Sequence, residues 1–193
     1  ITGSTSGVGA AIAMELSLEG ACIAIHGRDT ARAAVVAQRI KNAGGSAVIC
    51  LGDLCSDSGA DEVVHLACER LGGIDILVNN AGVYRSRSWM EPSAQDWAES
   101  YNSNVLSAVR LIRLVIPLMR SSGWGRIVQI SSRLAVRPRE EMPDYAAGKA
   151  ALLNLTVSAA KSVARWGITV NAVSTGIVLT PAVEEYFRAL AKE

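Results

Sequence analysis

Thr2-Gly3-Ser4-Thr5-Ser6-Gly7-Val8-Gly9 runs straight into a helical pattern that starts at Val8. Its glycines follow the spacing Gly-x3-Gly-x-Gly. Glycines at such a turn let the chain reverse tightly and let a pyrophosphate approach main-chain amides, and a helix N-terminus adds oriented N–H groups and partial positive charge. Gly3, Ser4, Thr5, Ser6, Gly7, Val8 and Gly9 are therefore candidate dinucleotide-binding residues. The spacing differs from the Gly-x-Gly-x-x-Gly of the general dinucleotide fingerprint, and no Gly-Lys-Ser/Thr follows to make a P-loop. Thr5 stands where a nucleophile elbow would need serine.

Outward from this turn, short apolar runs alternate with longer helical patterns. The runs are Ala21–His26, Ser46–Leu51, Ile74–Asn79, Arg126–Ser131 and Ile168–Val173. Each is β-branched and apolar at nearly every position, as in strands buried on both faces. Helical spacing covers Val8–Glu19, Thr30–Asn42, Ser58–Leu71, a long stretch from about Asp96 to Arg120, and Tyr145–Trp166. Gly20, Gly44-Gly45, Gly72-Gly73 and Gly167 sit between a helix and the next strand, where C-terminal caps belong. The alternation predicts one doubly wound parallel α/β domain over residues 1–193, with no linker or repeat dividing it. In such sheets ligands bind beyond the carboxyl ends of the strands.

Composition narrows the function. Lysine and arginine number 19 against 18 acids, giving net charge +1, and aromatics are 5%. A nucleic-acid binder needs a basic excess or stacking platforms, so neither duplex nor single-strand binding is expected. The longest apolar stretch, Leu106 to Met119, is interrupted by Arg110, Arg113 and Pro117, so no membrane span is expected. Cys22, Cys50, Cys55 and Cys68 form no Cys-x-x-Cys pair, and only His26 and His65 could join them, so no metal site is expected. Reduced structural cysteines and no recognisable signal peptide predict a cytoplasmic protein.

The residues after each strand carry the chemistry. An acid after the first apolar run would bond the ribose hydroxyls of NAD, whereas arginine would hold the 2′-phosphate of NADP. Here Gly27 takes the acid's place and Arg28 follows, favouring NADP with NAD as the alternative. Against this, Arg28 could be solvated or paired with Asp29, itself a candidate helix cap. Asp53, followed by Leu54, could accept from an adenine amino group or cap a helix. Asn79-Asn80-Ala81-Gly82 follows the third run, with Asn79, Ala81 and Gly82 as cofactor-contact candidates. Ser131 and Ser132 follow the fourth, then Tyr145 and, four residues on, Lys149. Positions i and i+4 share a helix face, so the ammonium can favour phenolate and pull the Tyr145 pKa below its usual ~10. Tyr145 is then a candidate general acid/base for a carbonyl or alcohol oxygen, with Ser132 donating to the same oxygen.

Together these motifs resemble the short-chain dehydrogenase/reductase family, in order and over essentially the whole chain. Thr2–Gly9 resembles its glycine turn, Asn79–Gly82 its Asn-Asn-Ala-Gly signature, and Asn104 its helix asparagine. Ser132, Tyr145 and Lys149 resemble its catalytic trio in spacing. The resemblance implies a Rossmann-type fold of three αβα layers and hydride transfer between NAD(P) and a carbonyl/alcohol pair. It also implies that Tyr145 protonates the carbonyl, that Lys149 tunes Tyr145 and holds the nicotinamide ribose, and that Asn104 supports a water-linked proton path to Lys149. The bland role for Asn104 is a buried amide at a helix bend.

Gly176, Ile177 and Thr180 fall in the segment resembling the family's Pro-Gly motif, with Thr175 in place of proline. Gly148 stands where serine is common and could allow close approach of the cofactor. From Arg85 to Arg139 there are nine arginines against three acids, which suits an anionic or acyl-carrier-linked substrate, as in the family's 3-oxoacyl-carrier-protein reductases. A solvated rim is the alternative. Apolar positions on the long helices suit a homodimer or homotetramer. The rival function is a non-catalytic dinucleotide-binding sensor or structural relative. Only Ile1 precedes the turn, and Pro181–Glu193 reads as the start of a helical substrate flap. The resemblance thus implies truncation at both ends, with the first strand incomplete and the last strand and helix missing. A 193-residue copy of that kind is expected to be poorly stable and weakly active.

Overall fold

The structure is a computed structural model, and it describes residues 1–180, 183, 184, 187 and 188. Five parallel strands alternate with helices: β1 (Cys22–Gly27), β2 (Ser46–Leu51), β3 (Ile76–Asn79), β4 (Gly125–Ser132) and β5 (Ile168–Thr175). The helices are α1 (Gly7–Leu18), α2 (Thr30–Asn42), α3 (Asp57–Leu71), α4 (Ala94–Tyr101), α5 (Ser107–Ser122) and α6 (Pro143–Val163). Local chemistry sets their starts. Asp29 Oδ1 accepts from Arg32 N at α2, Ser56 accepts from Gly59 N at α3, and Ser93 forms a capping box with Asp96 at α4. Pro143 opens α6 at its first position, where a missing N–H costs nothing.

Strand order is β2-β1 in one sheet and β3-β4-β5 in the other. Alternate residues of each strand reach opposite layers, which explains the uninterrupted apolar runs. Ile23 and Ile25 pack with Ala13 of α1 and Ala33, Val36 and Ile40 of α2. Leu77, Ile127 and Val170 pack with Val63 and Val64 of α3 and Leu111 and Val115 of α5, joined by Val163 of α6. The result is the three-layer Rossmann-type arrangement.

Ile1–Ser4 ties the two sheets together. Ile1 N donates to Ala24 O (3.1 Å) and Ser4 N to His26 O (2.9 Å), while Thr2 N donates to Val78 O (2.9 Å). A cavity of about 620 Å³ between β1 and β3 is lined mainly by core side chains such as Ile23, Val64, Leu77, Leu111 and Val115. Its floor lies at the opposite strand ends from the polar site, beside Gly20 and Gly73.

Most element ends differ from expectation by a residue or two, and three differences are informative. β3 begins at Ile76 rather than Ile74, with the Asp75 carbonyl just before it accepting from Arg126 N (2.9 Å). The expected long helix from Asp96 is α4 and α5 joined by a π-helical turn over Asn102–Leu106. A π turn inserts one residue into the helical ladder, and a 3.6-residue pattern does not display it. α6 ends at Val163 and tightens into a 3-10 turn through Trp166. The flap expected over Pro181–Glu193 lies outside the described residues apart from positions 183, 184, 187 and 188, all four helical.

Candidate active site

The glycine turn is held from beneath by side chains the sequence reading did not single out. Thr2 Oγ1 accepts from Asn80 N (2.9 Å) and Ala81 N (2.8 Å), and Asn80 Nδ2 donates to Thr2 O (2.9 Å) and Gly3 O (3.2 Å). This pins the loop after β3 against the turn. A Cβ on Gly9 would collide with Gly3 O and Asn80 Nδ2, so only glycine permits the approach. Gly3 adopts φ +61°, a left-handed conformation. His26 closes the other side: its Nδ1 accepts from Gly3 N (3.1 Å) and its Nε2 donates to Gly52 O (3.2 Å). Burial lowers the His26 pKa from 6.5 to about 4, so the ring is neutral, as the bond accepted from Gly3 N requires.

Above the turn, a cavity of about 310 Å³ is bounded by Gly3, Thr5, Ser6, Gly27, Arg28 and Asp53, with Leu54, Ala81 and Gly82 also lining it. Ser6, the N-cap of α1, makes no side-chain cap bond. Thr180 leans over the turn: a Cβ on Gly7 would meet its Cγ2 at 3.5 Å. Arg28 is exposed at the cavity edge and is not paired with Asp29, whose carboxylate serves Arg32 through its main-chain N–H (3.0 Å) and guanidinium (3.4 Å). Asp53 caps no helix. Its Oδ1 accepts from Cys55 N (3.1 Å), and that bond chiefly holds its carboxyl below the ordinary range.

Three residues expected at the cofactor, Ser4, Asn79 and Leu54, bury most of their side chains. Ser4 is fully buried, its hydroxyl donating to Ile1 O (2.8 Å) and accepting from His26 N (2.9 Å), so it braces the turn from inside. Asn79 is also buried, because the end of β3 is covered on both faces. Leu54 packs in the core with only its edge at the cavity. Gly148 faces Asn104 and Val105, not the cavity. Gly176 and Ile177 are exposed just past β5.

Ser132, Tyr145 and Lys149 come together at the carboxyl end of β4. Lys149 is 4% exposed, and its ammonium donates to Ile130 O (2.8 Å) while lying 5.5 Å from the Tyr145 ring centroid. Burial lowers its pKa from 10.5 to about 8. The expected depression of the Tyr145 pKa is not what the geometry gives. Burial pushes the phenol up, a Ser132 hydrogen bond offsets part of this, and the ammonium is engaged with Ile130 O. Tyr145 is thus held as a protonated phenol. Ser132 Oγ also accepts from Leu134 N (3.1 Å), which fixes its rotamer.

Asn104 sits in the π turn with all its polar groups engaged. Nδ2 donates to Ser100 O and Val83 O (both 2.9 Å), and Oδ1 accepts from Val83 N (3.0 Å). Here the asparagine holds the loop after Gly82. A Cβ on Gly82 would stand 2.6 Å from Asn104 Oδ1 and 3.7 Å from Lys149 Nζ, so the amide and the ammonium border the same small space.

A parallel α/β sheet with a glycine turn and a Ser–Tyr–Lys group at one edge defines a nicotinamide-dinucleotide oxidoreductase of the Rossmann class. Comparison with known proteins agrees. Residues 1–191 match the family model described as short chain dehydrogenase, and the chain belongs to that family. It is 36% identical over 188 residues to a D-beta-hydroxybutyrate dehydrogenase of Rhizobium meliloti, covering 96% of this chain and 72% of the relative. The L-sorbose reductase of Gluconobacter frateurii, solved with NADPH and L-sorbose, superposes with TM-score 0.96 at 36% identity, over 100% of this chain and 74% of that one. A 3-oxoacyl-(acyl-carrier-protein) reductase of Agrobacterium tumefaciens with NADP bound gives TM-score 0.93 at 33% identity, with coverages of 100% and 74%.

Proposed function

We propose that the chain is an NADP-preferring reductase/dehydrogenase in which Tyr145 is the general acid/base. The observation that carries this is the meeting of Ser132, Tyr145 and Lys149 beside Gly82, at the same sheet edge as the glycine turn. The cavity suits the adenosine and phosphate end of a dinucleotide. Gly9 lets the turn close on Asn80, the α1 N-terminus is free of a side-chain cap, and Arg28 stands open where a 2′-phosphate would need it. NADPH, when bound, supplies hydride to the carbonyl carbon. Tyr145 gives its proton to the carbonyl oxygen, so that C=O becomes CH–OH. Ser132 donates to that oxygen as negative charge builds there. Lys149, cationic below about pH 8 and anchored on Ile130 O, would hold the nicotinamide ribose beside Tyr145.

For the substrate, the arginine-rich stretch supports an anionic or carrier-linked carbonyl compound. Arg133, Arg137 and Arg139 are exposed just past Ser132. Exposed Tyr101, Leu106 and Leu118 along α4–α5 and Val157 on α6 support a homodimer or homotetramer. No helix among the described residues is long and apolar enough to cross a membrane, and the four cysteines are free thiols, which suits the cytoplasm. The test is a carbonyl-substrate panel run with NADPH and NADH in parallel, on the wild type and on Arg28→Ala. Turnover with NADPH preferred, and a preference that collapses in Arg28→Ala, is expected. Silence across the panel while NADPH still binds would favour a dinucleotide sensor instead.

A further inference from the structure

Arg87 lies in the loop after β3, yet its side chain is only 13% exposed. Nη1 donates to Asp96 Oδ1 (2.8 Å), Nη2 donates to Asp144 Oδ2 (3.0 Å), and its main-chain N–H donates to Glu141 O (2.7 Å). One residue thereby joins the loop to the first turns of α4 and α6. Asp144 is the immediate neighbour of Tyr145, and its side chain is 4% exposed. Burial alone would raise its carboxyl, but Arg87, then Ser100 and the Tyr145 N–H, outweigh burial and hold it below the ordinary range. The pair is therefore charged on both sides.

What lies between the pinned points matters more than the pair itself. Val83 is fixed by Asn104 at one end and Arg87 by two aspartates at the other. Tyr84, between them, packs edge-on against the Tyr145 ring with centroids 5.9 Å apart. Buried ion pairs add little net stability compared with apolar packing, so stability does not explain this one. Its placement does.

We infer that Arg87 and Asp144 are positioning residues, setting the Val83–Arg87 segment, and with it Tyr84, as the wall against which the substrate carbonyl meets Tyr145. Arg87 is thus withdrawn from any role in binding an anionic substrate. The inference rests on the active site proposed above, and two independent readouts separate its failure from the failure of that reading.

The first is limited trypsin digestion followed by intact-mass analysis. Arg85 and Arg87 are built-in cleavage points in the segment. In Asp144→Asn, cleavage there is expected to rise by about tenfold over wild type, with other sites unchanged. The second is steady-state kinetics with NADPH and whichever panel carbonyl the wild type turns over fastest. Asp144→Asn and Arg87→Gln should raise KM by about tenfold while kcat falls no more than about threefold and NADPH affinity holds. Arg87→Lys, which keeps the charge, should recover most of the KM. Unchanged cleavage overturns the inference even if no panel carbonyl is a substrate. Faster cleavage with unchanged KM also overturns it, as does a uniform loss of KM, kcat, NADPH binding and melting temperature.

Discussion

Lys149 keeps its charge in surroundings that barely tolerate it. The ammonium is buried, one carbonyl accepts from it, and its pKa falls to about 8. Below that pH the cation is present; above it the cation is lost, and with it the proposed hold on the nicotinamide ribose. The kcat/KM for carbonyl reduction should therefore decline as pH rises through about 8, and Lys149→Arg should move that limb upward. A pH–rate profile of both proteins checks it. His26 works in the opposite direction. Its folded pKa of about 4 lies below the ordinary 6.5, so the stability it contributes is complete above 6.5 and drains away as pH falls to 4. The window corresponds to about 3 kcal/mol by linkage. Urea midpoints between pH 7 and 4 should fall steeply in wild type and flatten in His26→Gln.

At the scale of elements, Gly148 weakens α6 without a visible return. A Cβ there would meet Val105 Cγ2 at 3.5 Å and Asn104 Cβ at 3.6 Å, both ordinary contacts. Gly148→Ala should raise stability by about 1 kcal/mol, or a melting temperature by about 2–4 °C, measured by calorimetry. The sequence reading allowed that glycine a close approach of the cofactor because serine is common there in the family; its helix face instead meets Val105 and Asn104. The strands and most helices were legible because two-sided burial leaves long apolar runs and the caps are chemical. The π turn was not, since one inserted residue leaves hydrophobic spacing nearly intact. Nor was the division of labour between Asn79 and Asn80: adjacent asparagines look alike in sequence, but the first is buried at the end of β3 and the second, just past it, donates to Gly3 O.

At the scale of the molecule, the strands bring to one edge residues far apart in sequence, from Thr2 to Thr180. That gathering follows from parallel topology, so the site's location was readable before any motif. Its electrostatics were not. Spacing put a cation near Tyr145, whereas burial and Ile130 O determine what that cation does. The most direct measurement is NADPH oxidation by Tyr145→Phe with a carbonyl the wild type reduces, alongside NADPH binding by fluorescence. The account predicts turnover down by at least about a hundredfold with cofactor affinity unchanged. Turnover retained in Tyr145→Phe would contradict it.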